Sequence, residues 1–205
     1  MKPVDKKIYL ASKSPRRREL LRQVGIDFEL LLLRDGPRGA DVTEEVHPGE
    51  APIDYVGRVA LEKAQFAADL VVKRRMAARP VLSADTTVTI DGAILGKPAN
   101  PAEATAMLQQ LSGRTHQVLT SIAVASADFS TQITQVSEVR FGVLSQAAIA
   151  AYCATAEPYD KAGGYGIQGP AAVFIEHISG SHSGIMGLPI YETIQLLRQA
   201  GLPLP

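Results

Sequence analysis

Tryptophan is absent from this 205-residue chain, aromatic residues make up only 5% of it, and a single cysteine, Cys153, is present. So few aromatics leave no stacking platform for single-stranded nucleic acid. One cysteine excludes an internal disulfide framework and a cysteine-based zinc site. Its alanine-rich surroundings, residues 150–154, place it on a packed helical face. The four histidines, His47, His116, His177 and His182, follow no metal-ligand spacing, so surface or core roles are expected for each. No G-x-S-x-G elbow occurs, which argues against a serine-triad hydrolase. Net charge is zero, so nothing global selects a nucleic acid polymer or a membrane surface as partner. No apolar run approaches the roughly 18 residues of a membrane span, and no apolar signal core follows the first lysines; a soluble, cytoplasmic protein is predicted.

What is present is an ordinary globular composition, 46% hydrophobic and 20% charged, at a length within the single-domain range. Charge is locally uneven: residues 1–40 hold ten Lys/Arg and five Asp/Glu, whereas residues 41–62 hold six acids and one arginine, Arg58. Such a pair of segments suits two walls of a cleft, or ordinary surface charge. Hydrophobic periodicity and turn residues predict strands over 7–11, 26–33, 80–84, 87–90, 93–95, 117–127, 131–143 and 171–178. Asp91-Gly92 reads as a hairpin turn. Helices are predicted over 14–25, 51–75, 100–113, 145–153 and 188–200, with Ser14, Asn100 and Ser145 as N-caps. Residues 34–40 and 158–170 are glycine-containing loops. The alternation of types, without repeats, predicts one α/β domain over 1–205, with two lobes around one sheet.

Four motifs stand out. Arg16, Arg17 and Arg18 fall in the first turn of the first helix, where the macrodipole disfavours cations by roughly 0.3–1 kcal/mol each. A bound phosphate reverses that sign; the alternative is a solvated basic face. Asp85, after a strand and beside Thr86 and Thr87, suits a hard cation or a proton from water, and equally a turn that caps local amides. Residues 92–97 fail the P-loop test, because the glycine spacing is one short and Pro98 stands where Ser/Thr would hold magnesium. Lys97 can still reach a phosphate as a point charge. In residues 160–169, Asp160 and Lys161 precede Gly163, Gly164, Gly166 and Gly169, which permit close backbone approach to a ligand. Gln168 there can both donate to and accept from a base edge. Tyr165 and Ile167 predict a folded loop over a flexible connector.

Together the segments 12–21, 62–64, 83–86, 95–98, 111–113, 160–169 and 187–189 resemble the Maf family of nucleotide pyrophosphatases, in order and across nearly the whole chain. The resemblance implies an α/β fold similar to inosine-triphosphate pyrophosphatases, a single domain with a long central mixed sheet and two lobes around a cleft. It implies hydrolysis of a nucleoside triphosphate to the monophosphate and pyrophosphate with a divalent metal cation, Mg, Mn or Co, and it suggests a homodimer. By the same resemblance Asp85 is the proton acceptor, with Lys63 and Lys97 as catalytic partners. Ser12, Arg16, Arg17 and Lys161 surround the phosphates, and Glu44, Asp85 and Asp160 stand near the metal. Arg16, Thr86 and Gln168 match positions that set base choice in the dTTP/UTP branch. His182 departs from the aromatic common there. Two alternatives remain open: a nucleotide-binding regulator of septum formation with little catalysis, and a pyrophosphatase directed at 7-methyl-GTP or purines.

Overall fold

The computed structural model describes residues 7–34 and 39–204, so residues 35–38 of the expected 34–40 loop lie outside it. Its elements are β1 (Ile8–Leu10), α1 (Pro15–Gln23), β2 (Phe28–Leu30), α2 (Pro52–Lys73), β3 (Val81–Ile90), β4 (Ala93–Leu95) and α3 (Pro101–Leu111). There follow β5 (Thr115–Ala125), β6 (Ser130–Phe141), α4 (Gln146–Cys153), β7 (Ile175–Ser179), α5 (His182–Ile185) and α6 (Ile190–Gln199). The strands form one mixed sheet in the order β2-β1-β3-β5-β6-β7, with β4 paired to the far end of β3. β1 runs parallel to β2 and β3; the other ladders are antiparallel.

Local chemistry explains the helix ends. Ser14, Asn100 and Ser145 accept main-chain N–H groups at the starts of α1, α3 and α4, as read from the sequence. Gly25, with φ of 71°, ends α1 in the left-handed conformation glycine tolerates best. α2 buries Val56, Val59, Ala60, Ala64, Ala67, Ala68 and Val71, a helical stripe facing β3, β5 and β6. On the other face, α1 and α6 enclose Ile8, Leu82, Ile122 and Val124 in one core. α3, α4 and the glycine loop enclose Val88, Leu108, Phe141 and Ile149 in a second. These two cores are the two lobes, and β3 belongs to both.

Four elements differ from expectation. The strands expected at 80–84 and 87–90 are one strand, β3, and Asp85 lies inside it. Its polar inward groups find partners on α2, where Ser83 Oγ donates to the Ala60 carbonyl and Lys63 meets Asp85, so the strand needs no break there. β2 keeps only three residues of the expected 26–33 and lies at the sheet edge. Residues 170–174 form a 3₁₀ turn, and β7 starts at Ile175. A short extra helix, α5, precedes α6, capped by Ser181. Cys153 is buried, as expected.

Candidate active site

Along one side β3 pairs with β5 from Val81 to Thr89. Along the other, β1 pairs only with Val81 and Leu82, and β4 only from Val88 onward. Residues 83–87 therefore present an open strand edge between the lobes, and a cleft of about 610 Å³ opens onto it. Strand alternation sends Asp85 toward α2 and Thr86 toward α1 and α5. All the residues named above line this one cleft: Ser12, Arg16, Arg17, Glu44, Lys63, Asp85, Thr86, Lys97, Asp160, Lys161 and Gln168.

On the α2 side, Lys63 Nζ bridges two carboxylates, Glu44 Oε1 at 2.7 Å and Asp85 Oδ1 at 2.8 Å. Lys63 and Asp85 are 15% and 12% exposed while Glu44 is 52% exposed, so the array grades from sheet to solvent. Tyr55 O–H donates to the Glu44 carbonyl at 3.1 Å. Burial, with Asp85 and Glu44 nearby, pushes the Tyr55 phenol up to about 12, which keeps it a neutral donor. Asp160 does not join these acids; it bonds to Lys161, whose Nζ also donates to the Glu157 carbonyl at 3.0 Å. The three acids expected near a metal are thus brought together only as the pair Glu44 and Asp85. Two separate ammonium groups divide the set, and no three Asp, Glu, His or Cys side chains form a metal-holding group among the described residues.

On the other side, Arg17 turns inward. Nε donates to the Gly187 carbonyl at 2.7 Å, Nη1 to Ser12 Oγ at 3.0 Å and the Ala84 carbonyl at 2.8 Å, and Nη2 to Thr86 Oγ1 at 3.1 Å. Four of its five N–H donors are committed inside the protein. Burial lowers its pKa, opposed by Asp85. Ala84 is on the open edge, so this guanidinium stands where a neighbouring strand would have donated. Thr120 Oγ1 donates to the Gly184 carbonyl at 2.8 Å and lies 3.0 Å from Thr86 Oγ1. Its one hydrogen being used, Thr86 must donate to Thr120. The Thr86 hydroxyl is therefore tied up on both sides. Of the residues expected to set base choice, Arg16 and Gln168 make no side-chain hydrogen bond among the described residues, and Gln168 is exposed at the cleft.

The 160–169 loop is folded, as Tyr165 and Ile167 suggested. Tyr165 is 6% exposed and its hydroxyl lies 2.6 Å from His116 Nε2. Gly163 has φ of 68° and donates to the Gly96 carbonyl, and a Cβ there would meet Val88 at 2.9 Å. That bond draws the Lys97 segment and the loop together. Sequence reasoning missed Tyr55, Arg58, Thr120 and Glu157. The first two were within reach, because residues 55, 58 and 62 share one helical face next to Lys63.

The chain is similar to known proteins along nearly its whole length. The family model described as Maf-like protein matches residues 7–200. A protein of Aromatoleum aromaticum named dTTP/UTP pyrophosphatase is 54% identical over 100% of both chains. One of the same name from Ralstonia nicotianae is 56% identical over 96% of this chain and 95% of its own, and one from Burkholderia pseudomallei 55% identical over 94% and 93%. Among solved structures, the Staphylococcus aureus Ham1 protein aligns with a TM-score of 0.44 and 15% identity over 66% of this chain and 72% of that one. A family model covering nearly the whole chain, and relatives above half identity along its length, establish that this chain belongs to the family of Maf-like proteins.

Proposed function

We propose that the chain hydrolyses nucleoside triphosphates, dTTP and UTP foremost, to the monophosphate and pyrophosphate. The observation that carries this is Asp85 on the open edge of β3, joined to Lys63 and facing the cations of the same cleft; the names of the relatives agree with it. A triphosphate brings about four negative charges, and catalysing its cleavage is mainly positioning and charge stabilisation. Arg16, Lys97 and Lys161 receive the phosphates, and Arg17 and Ser12 hold the floor beneath them. Asp85 takes a proton from the attacking water. The water oxygen bonds to the α-phosphorus, the bond from that phosphorus to the bridging oxygen breaks, and pyrophosphate leaves with that oxygen. Lys63 holds the Asp85 carboxyl in place through its 2.8 Å contact. Glu44 and Asp85 offer two hard oxygen donors at one point, which fits Mg²⁺ or Mn²⁺, ions usually held by one or two carboxylates together with substrate phosphates. Such a cation would neutralise phosphate charge when bound. Gln168 reads the base through its exposed amide, and Arg16 lines the same cleft; once the bound nucleotide covers that amide, a wrong base would leave it unpaired.

The experiment is pyrophosphate release from dTTP, UTP, CTP, GTP and 7-methyl-GTP, with and without Mg²⁺ or Mn²⁺, by the native chain, Asp85→Asn and Gln168→Ala. Metal-dependent release led by dTTP and UTP is expected, with a loss of about 10³-fold or more in Asp85→Asn and a flattened base preference in Gln168→Ala. Near-native rates in Asp85→Asn remove it from the mechanism, and a preserved preference in Gln168→Ala removes the base reading. Binding without product would favour a nucleotide-responsive regulator.

A further inference from the structure

Residues 41–50 contain neither helix nor strand, yet they deliver the Glu44 carboxylate to Lys63 and Asp85. An irregular segment can present one side chain reproducibly only if its backbone is pinned, because each unpinned residue retains conformational entropy. The pins come from one face of α2. Tyr55 O–H holds the Glu44 carbonyl. Arg58 grips Glu50 with both arms, Nε to Oε1 at 2.6 Å and Nη2 to Oε2 at 2.9 Å. Nη2 also donates to the Glu45 carbonyl at 2.9 Å, and Nη1 reaches Glu62 Oε2 at 3.4 Å. The same guanidinium lies 5.7 Å from the Tyr55 ring centroid, and Glu50 Oε2 accepts the His47 N–H at 3.0 Å. The pair is largely sequestered, with side chains of Arg58 and Glu50 18% and 9% exposed.

We propose that Arg58 is a positioning residue for Glu44, clamping the chain at Glu45 and Glu50 so that the Glu44 carboxylate meets Asp85 and Lys63 at the cation-binding end of the cleft. The proposal rests on the reading of Glu44 and Asp85 as the carboxylates that hold the divalent ion. Arg58 touches neither nucleotide nor metal and acts through the backbone that follows Glu44. The planar five-donor fork is what the task requires, since it serves a carboxylate, a carbonyl and an aromatic face together. A lysine at this position supplies charge without that geometry.

The test separates metal affinity from nucleotide affinity and from stability. Protein with the α,β-methylene analogue of dTTP is titrated with Mn²⁺, and free ion is read by electron paramagnetic resonance. KM for dTTP is measured separately at saturating Mn²⁺. Arg58→Met and Glu50→Gln are each expected to raise the Mn²⁺ dissociation constant about tenfold. KM should stay within about twofold, and Arg58→Lys should fall between native and Arg58→Met. If Arg58→Met does not fold, Glu50→Gln carries the test. A lower melting temperature with unchanged Mn²⁺ affinity, while Glu44→Gln binds Mn²⁺ weakly, overturns the positioning role and leaves Glu44 as a ligand. Unchanged Mn²⁺ affinity in Glu44→Gln overturns the ligand assignment and the proposal with it.

Discussion

Three neighbouring arginines in α1 meet three different environments. Successive helical residues point about 100° apart, so Arg16 lines the cleft, Arg17 braces Ser12, Ala84, Thr86 and Gly187, and Arg18 buries its Nε without a partner. The sequence showed three cations suited to phosphate; it could not show that one serves as internal scaffolding, because its acceptors lie up to 170 residues away. The contact of Thr86 with Thr120 is hidden for the same reason. Histidine had looked uninformative, yet His116 anchors the glycine loop through Tyr165, with Nδ1 unpartnered. Burial pushes its pKa down from 6.5 to about 4, so the folded protein holds it neutral. Between those values the unfolded chain binds a proton that the folded one refuses, and stability falls as pH falls, by on the order of 3 kcal/mol in all. Melting temperatures from pH 7 to 4.5 should therefore drop more steeply for the native chain than for His116→Gln. Parallel curves would show that His116 does not titrate in that window.

At the scale of elements, α2 does two jobs with one surface. Its buried face is rich in alanine, at 60, 64, 67 and 68, which lets the helix lie close enough for Lys63 to reach Asp85 and for Ser83 to reach the Ala60 carbonyl. Ala64 is fully buried beside Lys63. Ala64→Leu should destabilise by about 1–3 kcal/mol through overpacking and, by lifting the helix from β3, lower kcat/KM for dTTP about tenfold or more. Thermal unfolding and steady-state rates measure both, and a stability loss at unchanged kcat/KM would show that the Lys63–Asp85 contact tolerates the shift. The periodicity of α2 was plain in the sequence, as were the caps of α1, α3 and α4 and the Asp91-Gly92 hairpin. β3 was read as two strands because Asp85 and two threonines look like a turn when no neighbour is visible; the helix above satisfies them. α5 is only four residues long among glycines and serines, too short for periodicity to register.

Over the whole molecule, positive and negative formal charges cancel, so attraction for a triphosphate is local to the cleft. Salt screens over about 10 Å at 0.1 M, and phosphate contacts of exposed Lys97 and half-buried Arg16 should weaken before the sheltered Lys63–Asp85 pair does. KM for dTTP is expected to rise several-fold between roughly 0.05 and 0.5 M salt while kcat holds nearly constant; a flat KM would mean that the phosphates are bound beyond the reach of screening. No helix among the described residues is long and apolar enough to cross a membrane. The architecture behind the site is a central strand shared by two cores, interrupted on one flank where the first strand has ended and the hairpin has not begun. Such a flank is also a hazard, because unpaired strand edges recruit other polypeptides and seed aggregation. Here the gap spans only residues 83–87, and the guanidinium of Arg17 already occupies the Ala84 carbonyl. A small ligand can enter where an invading strand would find too few partners to hold it.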